Sequence, residues 1–265
     1  MSSTTVLLLG LAIAVTAAVR STWSPCGWSM LSTMTPLSER SRGHRFATTG
    51  GWFVAGAALG GLALGSLGAL GALVVRAVDP SPTRTAVAAA VLLLVAATWD
   101  ADLLRPSLPH HRRQVDEEWL DRFRPWVYAG GFGVQIGAGL ATYVMTTAVY
   151  GLVALGALTG EPLAALGVGL AFGTTRGLAV FASRRCVGFE RLAAFHRRFA
   201  SLATPVRLTA IAVEVCLGVA AAALAGGVPA AGVAVLVGSL VLAHAARAGS
   251  DHVSLPAEAR LAAAS

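Results

Sequence analysis

Apolar residues along this chain are grouped in long blocks separated by short polar segments. The blocks cover residues 6–36, 46–75, 85–99, 127–158, 162–182, 206–225 and 228–246. A helix needs roughly 20 consecutive apolar residues to cross the hydrocarbon core of a bilayer. The pattern therefore predicts an all-α polytopic integral membrane bundle.

The first apolar block is too long for one straight membrane span, and its sequence contains an interruption at Ser24-Pro25-Cys26-Gly27. Pro25 lacks a backbone donor, and Gly27 weakens a helix. We expect the helix to be broken between Arg20 and Gly27, with Cys26 beside the break. The fourth block is overlong in the same way, and a broken helix is expected there too.

The second block is rich in glycine. Gly56 and Gly60, like Gly61 and Gly65, are pairs of small residues four positions apart, which let two helices approach closely. These pairs predict tight helix packing around the second block.

Charge is scarce, since only 12% of the residues are charged, and all 20 basic residues are arginines. The arginines lie mostly between apolar blocks and are concentrated in alternate loops, which is typical of cytoplasmic loops in a cell-membrane protein. Seven spans satisfy this alternation, with the N-terminus outside and the C-terminus in the cytoplasm. The expected partner is the lipid bilayer, and no nucleic acid is expected.

Two segments outside the blocks carry apolar residues at helical spacing. Trp119, Phe123, Trp126 and Val127 form one apolar stripe in the first segment. The second segment, 187–203, carries Leu192, Phe195, Phe199 and Leu202 on one side, with most of its arginines elsewhere. Both segments are predicted to be short helices in the membrane interface.

Blocks one to three and blocks four to six share the same arrangement. Each set has three spans, and the first span of each set is an overlong helix. An odd number of spans per copy inverts the second copy relative to the first. The chain is therefore divided into a first repeat, 1–105, and a second repeat, 127–227. A cytoplasmic loop with an interfacial helix, 106–126, joins them, and a seventh helix, 228–247, and a cytoplasmic tail, 248–265, follow.

The first half combines a long first helix, Ser24-Pro25-Cys26 within it, Pro36 about ten residues on, a short basic loop and a glycine-rich second helix. In these features the chain resembles the CcdA/DsbD family of transmembrane thiol-disulfide electron carriers. The resemblance implies two inverted three-helix repeats, one reactive cysteine in each, and exchange with an extracytoplasmic thioredoxin-like protein. Cys26 matches the first cysteine, and Thr146 stands where the second is expected.

Cys26 is the candidate redox thiol, because a helix that starts at Pro25 places it near a helix N-terminus. A small residue at a packing contact is the alternative interpretation. Cys216 could be a second thiol, whereas Cys186 is expected to be a reduced thiol at the cytoplasmic edge. The cysteines and the six histidines lack metal-ligand spacing, so no metal or cofactor is expected.

Ionisable residues within membrane spans are costly and often functional. Arg176 and Glu214 lie at similar depths, roughly 12 and 10 Å from the ends of their helices, and are expected to form an ion pair. Arg20 is the competing partner of Glu214. A candidate polar path comprises Arg20, Pro25, Gln135, Thr142, Thr146, Arg176 and Glu214.

Two functions follow from these patterns, and neither is that of a conventional enzyme. The first is a redox membrane protein that passes reducing equivalents through Cys26. The second is a small-solute or metal-ion transporter of the same inverted-repeat architecture, without redox chemistry. A membrane subunit with no chemistry of its own is a third possibility.

Overall fold

The computed structural model describes residues 1–104, 119–140 and 144–254, which form helices joined by short loops. The helices are α1 Ser3–Ser21, α2 Pro25–Thr33, α3 Pro36–Ser41, α4 Phe46–Val78, α5 Pro82–Asp100, α6 Trp119–Arg122, α7 Pro125–Gly137, α8 Ala148–Leu158, α9 Pro162–Leu178, α10 Phe189–Ser201 and α11 Ala203–Ser254. A 3₁₀ segment, Ala179–Arg185, extends α9. Five of these helices, α1, α4, α5, extended α9 and α11, are long and apolar enough to cross a membrane. The predicted all-α membrane bundle is confirmed.

The first apolar block is broken where the sequence predicts. Helix α1 ends at Ser21, and α2 begins at Pro25 after a cap in which the Ser24 hydroxyl accepts a hydrogen bond from the Gly27 amide at 3.2 Å. A Cβ atom on Gly27 would lie 2.1 Å from the carbonyl oxygen of Thr22. Only glycine therefore lets the chain turn this tightly.

The fourth block is also interrupted, as expected. Helix α7 ends at Gly137 and α8 begins at Ala148. Gly139 follows α7 with a φ of 65°, a left-handed conformation that glycine adopts without a steric penalty. The block therefore consists of two short helices, α7 and α8, separated by a break.

The sixth and seventh blocks form one helical hairpin within α11. The helix is interrupted at Gly226 and at Gly227, where φ is 65°. Beyond the interruption the chain runs back along itself, so that a Cβ atom on Gly238 would lie 2.2 Å from the Val215 side chain. The segments 203–225 and 228–254 are therefore antiparallel neighbours.

Helix α4 lies at the centre of the bundle, between α7 and α9. A Cβ atom on Gly56 would lie 2.1 Å from the carbonyl oxygen of Gly130 in α7, and one on Gly61 would lie 2.3 Å from that of Gly169 in α9. The two glycine pairs thus bring α4 into backbone contact with both neighbours, and the predicted close packing is confirmed.

The two amphipathic segments differ from their prediction. Helix α10 forms, but its apolar side packs on the protein, where the Phe199 ring stacks on Trp23 with centroids 4.3 Å apart. The first segment is not one helix. The reason is Pro125, because a proline disfavours the helical conformation at the residue before it. Arg124 is accordingly extended, with ψ 153°. Helix α6 therefore ends at Arg122, and Trp126 belongs to α7.

Candidate functional site

Cys26 is the second residue of α2 and lies inside the bundle. Its side chain is 1% exposed, whereas Pro25, at the first position of the helix, is exposed. The cap formed by Ser24 fixes the start of α2, so Cys26 stands in the first turn of that helix. The proline and the serine thus decide where the thiol is placed.

Arg176, on α9, is buried beside this thiol. Its side chain donates one hydrogen bond to the carbonyl oxygen of Ile136 at 2.8 Å and another to the hydroxyl of Ser24 at 3.3 Å. The guanidinium is within electrostatic reach of Cys26 and lies 5.8 Å from the ring centre of Phe172. Its Nε has no hydrogen-bond partner, and no carboxylate of the described residues forms an ion pair with it.

The predicted ion pair between Arg176 and Glu214 is wrong. Arg176 lies against Ser24, whereas Glu214 lies beside Asp100 and within electrostatic reach of Arg20. The depth argument fixed each residue along its helix but not the direction in which its side chain points. Arg20, the competing partner, is the cation near Glu214.

A second polar site forms where α1, α5 and α11 meet. The carboxylate of Asp100, the last residue of α5, accepts hydrogen bonds from the Thr146 hydroxyl and, at 2.7 Å, from the Thr147 amide. Arg207 donates to the carbonyl oxygen of Asp100 at 2.9 and 3.0 Å and pairs with the Asp102 carboxylate. These contacts fix Asp100 at the edge of the site.

Glu214 is the unsatisfied member of this site. Its side chain is 0% exposed, and neither carboxylate oxygen has a hydrogen-bond partner with suitable geometry among the described residues. Asp100 and Arg20 are the charged groups of the described residues that interact with it. Sequence reasoning missed Asp100, which directly follows the third apolar block.

The residues of the predicted polar path are therefore divided between two sites. Arg176 and Pro25 belong with Cys26, and Arg20, Thr146 and Glu214 belong with Asp100. Gln135 is half-buried on α7, next to the residue whose carbonyl binds Arg176. Thr142 lies outside the described residues.

The other two thiols are placed differently from Cys26. Cys186 directly follows the 3₁₀ segment and is buried, and this burial raises the pKa of its thiol. Cys216 is exposed on α11. No disulfide joins Cys26 to Cys186 or Cys216.

A second fully buried carboxylate, that of Glu39, was also missed. The side chain is 0% exposed and accepts hydrogen bonds from the hydroxyls of Thr49 at 2.7 Å and Tyr128 at 2.9 Å. Arg42 lies 3.5 Å from its other oxygen. Because it joins α3 to α4 and α7 with its charge compensated, Glu39 acts as a structural link, in contrast to Glu214.

The fold and these sites define a multi-pass α-helical membrane protein with charged groups buried in its bundle. No family model matches the chain, and no solved structure matches it. The chain is 32% identical over 212 residues to the methylamine utilization protein MauF of Paracoccus denitrificans. This match covers 76% of this chain and 73% of that protein. It is also 32% identical over 182 residues to MauF of Paracoccus versutus, where the match covers 66% of this chain and 64% of that protein. The chain belongs to the MauF family.

These relatives correct the resemblance drawn from the sequence. The matching proteins are named MauF, not members of the CcdA/DsbD family. The features that carried the resemblance, a proline-interrupted first helix and a glycine-rich second one, describe helix geometry and are not specific to one family. Identification with the thiol-disulfide electron carriers is therefore wrong.

Proposed function

We propose that this chain acts in methylamine utilization as a multi-pass membrane protein whose reactive group is the thiol of Cys26. The pathway is taken from the name of the relatives. One observation supports the choice of Cys26 as the reactive group. The guanidinium of Arg176 is buried beside Cys26, and no described carboxylate pairs with this guanidinium. An uncompensated buried charge is costly, and a thiolate at Cys26 would neutralise it.

The proposed chemistry is thiol-disulfide exchange with a partner protein, for which an extracytoplasmic thioredoxin-like protein is the candidate. The Cys26 thiolate attacks a disulfide of the partner, a new S–S bond forms, and the leaving sulfur departs as a thiolate that takes a proton from water. A thiol of the same partner then attacks the mixed disulfide and frees Cys26. This cycle rearranges the partner's disulfides without net oxidation, so one thiol of this chain is sufficient.

Access is the structural requirement of this proposal. Cys26 is 1% exposed, so the break between α1 and α2 has to open before a partner sulfur can approach. A groove of about 510 Å³ lies beside the break and is lined by Thr22, Trp23 and Phe199 among others. Separation of α10 from Trp23 would widen this groove towards the start of α2.

Growth on methylamine tests the proposal in the organism that encodes the chain. We expect Cys26→Ser at the chromosomal locus to abolish growth on methylamine as the only nitrogen source, and the exposed-thiol control Cys216→Ser to grow normally. A variant that keeps only Cys26 should yield a mixed disulfide with its partner after rapid acid trapping. Normal growth of Cys26→Ser, with no trapped species, would rule out the thiol function.

A small-solute or metal-ion transporter is the second candidate, and the group formed by Arg20, Asp100 and Glu214 favours it. Ionisable side chains that face one another within a membrane bundle commonly mark transport pathways. The same growth assay separates the two candidates. Loss of growth in Glu214→Gln together with normal growth of Cys26→Ser would favour transport.

We also propose a cell-membrane location with seven spans, two inverted repeats covering 1–105 and 127–227, the N-terminus outside and the C-terminus in the cytoplasm. The support is the arginine distribution between the blocks. A membrane-impermeant thiol reagent applied to whole cells should label Glu161→Cys. It should not label His110→Cys, a position outside the described residues. The reverse pattern would overturn the orientation.

A further inference from the structure

The site around Glu214 contains more negative charge than the described residues neutralise. Arg20 of α1, Asp100 of α5, Asp102 just after α5 and Arg207 of α11 are the charged groups that interact around it. Arg207 is already paired with Asp102. Among the described residues, Arg20 is then the single cation available to the two carboxylates Asp100 and Glu214, and one negative charge remains in this part of the chain.

The hydrogen bonds identify Glu214 as the group that lacks a partner. Asp100 receives donors from Thr146 and Thr147, whereas both oxygens of the fully buried Glu214 lack a hydrogen-bond partner among the described residues. A buried carboxylate without donors loses its hydration and gains nothing in return. Two neighbouring carboxyl groups in such a setting are stabilised when they share one proton.

We propose that Asp100 and Glu214 form a proton-binding pair that takes up and releases one proton, with Arg20 as the fixed counter-ion. On uptake, an O–H bond forms on a Glu214 oxygen and donates to an Asp100 oxygen, which supplies the missing hydrogen bond and makes the group neutral. On release, the proton leaves for water, and the site returns to one net negative charge. This function is independent of the thiol of Cys26.

A proton fits this site better than a metal cation does. Metal cations such as Ca²⁺ require six or more oxygen ligands around a cavity of defined size. Glu214 is fully buried, and the Thr146 hydroxyl nearby is already bonded to Asp100. A proton adds no volume and needs only one donor oxygen and one acceptor oxygen.

Infrared difference spectroscopy on the purified full chain in lipid nanodiscs tests the proposal directly. Stepping the pH from acid to alkaline should remove the carbonyl stretch of a protonated carboxyl group. That band should be absent in Glu214→Gln, shifted in Asp100→Asn and unchanged in the control Glu161→Gln, whose side chain is 57% exposed. A band that persists in Glu214→Gln, or no band in the wild type, would overturn the proposal.

Thermal unfolding provides a second measurement that does not depend on the infrared band. If the folded state binds the extra proton, the unfolding midpoint of the wild type should fall as pH rises from about 5 to about 9, and that of Glu214→Gln should fall much less. Glu214→Gln has nearly the same shape as the wild type, and a normal midpoint at acid pH shows that it folds. Equal pH dependence in the two proteins, or stabilisation of the wild type by Na⁺ or methylammonium at alkaline pH, would contradict a proton site.

Discussion

Arg20 and Arg176 both lie in apolar helices, yet their surroundings have opposite charge imbalances. Arg20 is half-buried and faces two carboxyl groups, Asp100 and Glu214. Arg176 is fully buried and has a carbonyl oxygen, a hydroxyl and a thiol around it, with no acidic partner among the described residues. One site is short of a cation and the other of an anion. The identity of the neighbours, more than depth in the membrane, therefore determines what each arginine can do.

Arg20→Met should have the largest effect on stability. Removing the cation leaves Asp100 and Glu214 without compensation, and loss of one partner from a buried charge group costs about 3 kcal/mol. The free energy of unfolding, measured by denaturant titration in detergent, should fall by about that amount. The exposed control Arg84→Met should change it by less than about 0.5 kcal/mol. Equal effects of Arg20→Met and Arg84→Met would show that Arg20 does not stabilise the carboxyl groups of Asp100 and Glu214.

Glu214→Gln should rescue most of that loss. In the double variant with Arg20→Met the excess charge has been removed, so about 2 kcal/mol of the lost stability should return. The coupling should be absent when Glu214→Gln is combined with Arg176→Met. Strong coupling in that second combination would revive the ion pair between Arg176 and Glu214 that the structure contradicts.

Thr146→Val should destabilise the protein by about 1.5 kcal/mol, the usual value of a hydrogen bond to a charged group. The hydroxyl of Thr146 donates to the Asp100 carboxylate, and valine keeps the shape but not the donor. Thr16→Val is a matched control, because the Thr16 hydroxyl bonds only within its own helix, to the Ala12 carbonyl. Similar losses in the two variants would show that Asp100 does not depend on Thr146.

Arg176→Met should have the smallest effect on stability, within about 1 kcal/mol, because a lost pair of hydrogen bonds is offset by relief of an uncompensated buried charge. The same variant should slow alkylation of Cys26 by about tenfold, since the buried cation beside the attacking sulfur is gone. The alkylation rate of Cys216 in the same sample serves as the internal control. An unchanged rate at Cys26 would separate Arg176 from the thiol.

The sequence was informative where local chemistry decides the backbone. Ser24, Pro25 and Gly27 mark the break in the first block, and the spacing of Gly56 and Gly60 marks a face that needs close approach. Both features depend on a few residues that are close in the sequence, so they can be predicted without knowledge of the fold.

The two sites were less accessible from the sequence, because they depend on how helices are rotated about their axes. Counting residues placed Arg176 and Glu214 at similar depths, but their partners are on different helices. The role of Asp100 could not be predicted for a related reason. Its donors, Thr146 and Thr147, are more than 40 residues away along the chain, at separations of 46 and 47.

The backbone contacts of α4 have a consequence for motion. Where Gly56 meets Gly130 and Gly61 meets Gly169, no side chains stand between the helices, so no change of rotamer can absorb a displacement. Helices α4, α7 and α9 are therefore expected to behave as one rigid unit, and Arg176 belongs to this unit. The site of Glu214 is formed by α1, α5 and α11, outside that unit. We therefore expect protonation of that site to move α1, α5 and α11 relative to α4, α7 and α9.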